Sequence, residues 1–394
     1  MKHAIRLFLF AVAGWFIFPA PPAHAETGPI KVGAFLPLSG ELARVGEQEK
    51  NAFLMAVEKI NGAGGIRGQA VRLIVEDSAG PDGEGPSAMK RLISDHGVVA
   101  VTGGVASTQT FRAAALAEEL KTPFLITTAS ADRITTQGWA YVFRLTPPAG
   151  EYMDPLRSFI KRVGGVKTAA VIFEEGAFGH FGRKRFERFR RGAGIKLVRQ
   201  ERFIEGTSDF VPLFEWVRVR HPDLVYMVAS GPATPAFMIR SAKAIDLNPR
   251  LFFGHGEGFI NPNLPRYAGG AAEGVFSTTL WIPSVPYPGS EEFADRYEEQ
   301  YGSLPDYHGA QAYAALSVIA NALKRAESMT RSAVRDALAR TQMKTVFGPV
   351  RFADYGDKTQ QNHRPMLVVQ WMEGRLETVW PGNSASATYR FPQP

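Results

Sequence analysis

The sequence predicts an α/β fold of two lobes built on parallel sheets. Three observations carry that prediction. Short apolar runs alternate with amphipathic helical stretches from Ile30 onward, the signature of strands and helices in layers. At 394 residues, 45% hydrophobic and 21% charged, the chain is globular and long enough for two sizeable cores. Small-residue polar loops follow strands in both halves, where open α/β sheets place their ligands.

The N-terminus reads as a secretory signal peptide, residues 1–25. Lys2 and Arg6 precede the apolar core Leu7 to Phe18, and Ala23-His24-Ala25 offers a small-residue cleavage site before Glu26. The mature chain is therefore expected in the periplasm. It holds no cysteine, which excludes disulfides, thiolate nucleophiles and Cys-ligated metals. Without the leader, 43 basic against 38 acidic side chains leave a net charge of +5. The dense basic run Arg183 to Arg191 interleaves with Phe181, Phe186 and Phe189, so the rings are expected in the core and the charges in solvent. With no binding module beside it, that run predicts no nucleic-acid partner.

Ile30 to Leu36 reads as the first strand, ended by Pro37 and Ser39-Gly40, and Glu47 to Ile60 as an amphipathic helix. Val71 to Val75 is the next strand, followed by a Gly/Pro-rich loop and a helix through Met89 and Ile93. VVAVTGGVASTQ, Val98 to Gln109, is then a buried strand, a double-glycine turn and a helix start. There, Ser107 and Thr108 bring hydroxyls to amides without intrahelical partners, a favourable place for an anion; an ordinary N-cap is the alternative role for Ser107. Pro123 to Thr127 is a strand whose carboxyl end carries Ala129 and Ser130, and Tyr141 to Arg144 closes the first unit.

The second unit repeats the alternation. Strands are predicted at Thr168 to Phe173, Leu197 to Phe203, Leu224 to Val228 and Leu251 to Phe253, with helices between them. The last strand runs into the glycine-rich loop GHGEG, Gly254 to Gly258. Val275 to Trp281 is a further strand, and helices follow at Glu291 to Tyr301, Ala310 to Arg325 and Arg331 to Arg340. Gly348 to Phe352 and Met366 to Trp371 are strands, and residues 382–394 are expected to be disordered.

Catalytic constellations are missing. Ser87-Ala-Met-Lys90 fits S-x-x-K but lies mid-helix without partner motifs, and there is no G-x-S-x-G, Walker loop or H-E-x-x-H. The histidines lack metal-ligand spacing, and His255 in the GHGEG loop is expected at a rim. No cofactor, metal or enzymatic activity is predicted. What remains is a set of donors near Ser107, Ala129 and Ser130, and a carboxylate, Glu257, from the other half. Donors for an anion beside a carboxylate for a cation suit a zwitterion in a cleft.

These residues resemble the type-1 periplasmic solute-binding proteins, specifically the leucine/isoleucine/valine-binding family of ABC importers. The resemblance runs from about Ile30 to Pro381 through IKVGAFLPLSGELARVGEQEKNAF, INGAGGIRGQAVRLIVEDSAG, GGVASTQ, TPFLITTASADRIT and YVFRLTP, then FGHGEGF, AAEGVF, FGPVRFADYGD and VVQWMEGRLETVWP. It implies two Rossmann-like lobes joined by three crossovers, near Thr146-Pro147, Thr278 to Pro283 and Thr345 to Gly348. Lobe 1 would comprise 26–146 plus 280–346, and lobe 2 147–279 plus 347–381. It further implies that Ser107 holds a ligand carboxylate, that Ala129 and Ser130 meet the carboxylate and ammonium, and that Glu257 pairs with the ammonium. The family's aromatic wall falls at Val45, one tyrosine at Phe178, and another in Ser230-Gly231-Pro232. Those smaller groups leave room for a ligand bulkier than leucine. The partners implied are an amino acid and an inner-membrane ABC permease; a ligand-sensing receptor subunit, or a binder of an aromatic acid, amide or urea-type solute, is the alternative.

Overall fold

The computed structural model describes residues 28–78 and 85–393. The expected signal peptide and most of the Gly/Pro-rich loop lie outside them. The first lobe opens with β1 (Ile30–Leu36), α1 (Ala43–Gly62), β2 (Val71–Asp77), α2 (Gly85–Lys90), β3 (Ala100–Gly103), α3 (Ser107–Glu119), β4 (Phe124–Ile126) and β5 (Val142–Arg144). These strands pair in parallel in the order β2-β1-β3-β4-β5. Because both faces are covered, the strands read as unbroken apolar runs. One face packs under α1 and a later helix, Tyr307–Arg325, and the other carries Met89, Leu92, Ala113 and Ala117.

The second lobe follows with α4 (Asp154–Val163), β6 (Thr168–Glu174), α5 (Ala177–Gly192), β7 (Lys196–Phe203), α6 (Val211–Arg218), β8 (Leu224–Val228), α7 (Thr234–Ala244), β9 (Leu251–His255), α8 (Leu264–Ala268) and β10 (Phe276–Thr279). Its parallel order is β7-β6-β8-β9-β10. The chain then returns to the first lobe through α9 (Ser290–Tyr301), α10 (Tyr307–Arg325), α11 (Arg331–Ala339), β11 (Gln342–Thr345), β12 (Gly348–Tyr355) and β13 (Lys358–Asn362). It finishes in the second sheet with β14 (Leu367–Met372) and β15 (Arg375–Trp380). Two α/β lobes with crossing connections are therefore present, as expected.

Three expectations need correction. The sheets are parallel only in part: β11-β12, β12-β13, β10-β14 and β14-β15 are antiparallel. Thr345 to Gly348 is no crossover but a tight hairpin, closed by the Thr345 hydroxyl donating to Gly348 O at 2.8 Å. β12 and β13 stay in the first sheet, where Gln361 registers with Arg144 and the Phe352 ring lies 5.1 Å from that of Phe143. The third crossing thus falls between Asn362 and Leu367, and residues 347–362 belong with lobe 1. The tail is also placed: Ser386 N donates to Thr378 Oγ1 at 2.9 Å, Tyr389 packs edge-on to Phe159, and Phe252 N donates to Gln393 Oε1 at 2.7 Å. Its polar composition hides the backbone groups that the second lobe leaves for it to satisfy.

The double glycine earns its place by geometry. Gly103 and Gly104 have φ of +105° and +91°, and a Cβ at Gly103 would stand 2.4 Å from Phe35 O.

Candidate functional site

On the first lobe, the polar groups sit on loops at the carboxyl ends of β3 and β4. Ser107 is the first residue of α3, and Ala106 before it makes no side-chain cap. The Ser107 hydroxyl instead accepts from Ala131 N at 3.2 Å, so it ties two loops together and is not an N-cap. That leaves its proton free to donate. Ala129 is buried, its amide donating to Gly104 O at 2.9 Å. Thr108, the next residue of α3, is exposed.

Beneath these loops lies a buried polar layer. Glu49 on α1 is fully buried, and Thr127 and Thr128 donate to its two oxygens at 2.8 and 2.6 Å. Thr128 is also 2.9 Å from Gln311 Oε1, so one hydroxyl proton faces two acceptors. The conflict resolves when Glu49 carries a proton of its own, or when the Gln311 amide turns to bring its buried, unpartnered Nε2 to Thr128. Burial pushes its pKa up to about 7, against the threonine hydrogen bonds. Arg144, at the end of β5, is fully buried and donates to Gln361 Oε1 at 2.6 Å, Ala131 O at 2.7 Å and Thr135 Oγ1 at 2.7 Å. Burial lowers its pKa to about 10, which still leaves it charged at neutral pH.

On the second lobe, Phe178 lies in the first turn of α5 and stacks on His255 with ring centroids 5.6 Å apart. His255 is also stacked with Tyr226 at 6.1 Å, and burial lowers its pKa to about 4. It is a neutral packing residue between rings. Glu174 at the end of β6 accepts from both Ser230 N (2.7 Å) and Ser230 Oγ (2.5 Å), which fixes the β8 loop. Glu257 follows β9 and reaches across to the other lobe, where Arg44 Nη2 lies 3.6 Å from its Oε2.

Two cavities between the lobes divide the expected residues. One of about 470 Å³ is bordered by Arg44, Ser230, Pro232, Glu257, Trp281 and Tyr307. The other, of about 540 Å³, contains Ser107 and Ser130 facing Phe181, Lys184, Arg185 and Arg188 of α5. Ala129, Phe178 and Thr108 border neither. Val45, expected as a wall, is buried in α1, and its neighbour Arg44 faces the cavity instead. Phe186 and Phe189 are in the core as expected, but Phe181 is half exposed on the cleft side.

Arg44, Glu49, Arg144 and the cleft-facing cations of α5 were not anticipated as site residues. Glu49 did leave a signal, since it falls on the buried stripe Val45, Ala52, Phe53, Ala56 of α1. Among the described residues, no group of three or more His, Asp or Glu side chains could hold a metal, and no helix is long and apolar enough to cross a membrane.

Comparison with known proteins gives the family and the fold. A family model described as periplasmic binding protein matches residues 29–375. Leu/Ile/Val-binding protein homolog 7 of Brucella melitensis is 27% identical, with both chains covered in full. Among solved structures, the branched-chain amino acid transporter substrate-binding protein LivJ of Streptococcus pneumoniae, in complex with isoleucine, superposes with a TM-score of 0.69 at 23% identity, covering 90% of this chain and 100% of that one. A solute-binding protein of an ABC transporter from R. palustris, in complex with benzoate, gives 0.68 at 19% identity, over 92% and 98% of the two chains.

Proposed function

The chain belongs to the periplasmic binding protein family, and on that premise we propose that it is the extracytoplasmic solute-binding component of an ABC importer. It takes an amino acid (branched-chain, larger aliphatic or aromatic) between its lobes, closes on it by hinge motion and delivers it to a membrane permease. The observation that carries this reading is the opposition of charges across the cleft. Glu257 from the second lobe already reaches a guanidinium of the first lobe at 3.6 Å, so an ammonium group between the lobes falls within its range. The Ser107 hydroxyl and the first-turn amides of α3, on the neighbouring cavity of the cleft, supply donors for the carboxylate of a solute that spans the two. Ser230 and Pro232 beside Glu257 present little bulk, which leaves room for a large side chain.

A second reading, an aromatic acid without an ammonium, is favoured by the exposed ring of Phe181 beside three cations of α5. Calorimetry of the mature protein against neutral amino acids, aromatic acids and amides separates the two. Tight binding of an amino acid, with compaction seen by small-angle scattering, is the expected result. Binding of acids alone would replace the zwitterion, and no binding by any of these solutes would overturn the reading.

A further inference from the structure

The cavity that holds Ser107 is built for more negative charge than one carboxylate. On α5, Phe181, Lys184, Arg185 and Arg188 stand at positions i, i+3, i+4 and i+7, so they share one helical face, and that face borders the cavity. Arg157 from α4 also borders the cavity but is paired with Asp154 at 3.3 Å, and Asp132 is the single carboxylate among the residues that line it. Like charges one turn apart repel, and helices relieve this with an interleaved acid. Here the one acid of α5, Glu187, is turned elsewhere: it accepts from Arg190 Nε at 2.5 Å and from Arg191 Nε at 2.7 Å. Arg185 is held by rings, its guanidinium 4.1 Å over Phe181 and 5.1 Å over Tyr152, and it makes no ion pair among the described residues, Asp132 on the same cavity wall acting on it only through space. Lys184 and Arg188 likewise have no ion-pair partner among the described residues. Burial lowers the Arg185 pKa by disfavouring its charged form, a cost that an anion beside it would offset.

Resting on the reading of the cleft as the solute site, we propose that the solute carries a second anionic group, seated among Lys184, Arg185 and Arg188. The preferred ligands are thus dicarboxylates, including amino acids with an acidic side chain, over neutral aliphatic ones. One carboxylate meets Ser107 and the α3 amides, and the other meets the α5 cations across the cavity. Phe181 gives the connecting carbons an apolar wall.

The test is calorimetry of the mature chain with matched pairs: leucine and glutamate, hexanoate and adipate, benzoate and phthalate. At low salt, the dicarboxylate of at least one pair should bind about tenfold or more tighter than its partner, with the preference shrinking at high salt. The double variant K184Q/R188Q, both sites being solvent-exposed, should fold like the parent by circular dichroism. In it that preference should collapse to about twofold or less, since two of the three cations are gone. A cleft that binds the single-carboxylate members as well as the dicarboxylates, or a dicarboxylate preference that survives in K184Q/R188Q, overturns the proposal while leaving the solute-binding reading in place. A parent chain that binds no member of any pair overturns the proposal, and the solute-binding reading falls with it when the neutral amino acids, aromatic acids and amides of the broader screen fail as well.

Discussion

The two sides of the cleft are built in opposite ways. On the first lobe, the loops that carry Ser107, Ala129 and Ala131 are tied from behind by buried polar groups, with Glu49 under Thr127 and Thr128, and Arg144 under Ala131. On the second, Phe178, Glu257, Lys184 and Arg188 are exposed, and their charges meet the cleft or solvent rather than a network. A preorganised wall fixes where a ligand's polar groups go, whereas an exposed charged wall sets which charges are drawn in and can move with its lobe. The contrast assigns position to one lobe and charge selection to the other.

The sharpest way to break that contrast is from beneath the first lobe. Arg144→Met removes three buried charge-assisted hydrogen bonds, to Gln361 Oε1, Ala131 O and Thr135 Oγ1, and leaves these groups only the Thr135 hydroxyl on Gln361 Oε1 (3.3 Å) and Ile134 N on Ala131 O (3.1 Å). It should cost about 4 kcal/mol in urea-unfolding stability. A loss below about 1 kcal/mol would show that the Ala131 loop does not depend on it.

Next in size is the protonation of Glu49. Its folded pKa stands above the unfolded value, so the folded state binds the extra proton between the two. Its contribution to stability is therefore complete below the ordinary value of 4.5 and is lost as pH rises through about 7. His308 adds to the same trend: burial opposes its charge, but Asp306 beside it holds its pKa above the ordinary 6.5. Unfolding free energies of Glu49→Gln and parent, measured from pH 4 to 8, should diverge by about 3 kcal/mol in slope-integrated difference, the parent falling more steeply. Parallel curves would mean that Glu49 is ionised throughout.

On the opposite wall, effects should appear in binding and not in folding. Glu257→Gln should weaken the binding of an amino acid by about 2 kcal/mol with little change in thermal midpoint. Equal affinity in both proteins would place no ammonium beside it. The smallest effect is expected from the interlobe pair itself. Arg44 and Glu257 are both well exposed, so Arg44→Gln should alter unfolding free energy by less than about 1 kcal/mol. A larger loss would make the pair a structural clasp between the lobes.

Much of this was legible in the chain. Leu224 to Val228 is a strand at the residues expected, because five consecutive apolar side chains leave it no solvent face. Ser290–Tyr301 and Arg331–Ala339 lie within a residue of the helices expected, since their apolar spacing and flanking glycine or threonine mark them locally. Lys358–Asn362, KTQQN, carries no apolar periodicity, and it is a strand only because β5 and β12 flank it. Ser107 was found as a residue of interest, but its hydroxyl serves Ala131, a partner 24 residues away.

The sequence by itself determined the alternation of strands and helices, the glycine turn at Gly103-Gly104 and the absence of a catalytic constellation, because these depend on local pattern and residue chemistry. The tertiary structure alone decided that β12 and β13 return to the first sheet, that Arg44 rather than Val45 faces the cleft, and that the basic side of α5 looks toward Ser107. The physical reason is common to all three. Which face of an element is covered depends on what packs against it from far along the chain, and a charged stripe reads the same whether it faces solvent or a ligand.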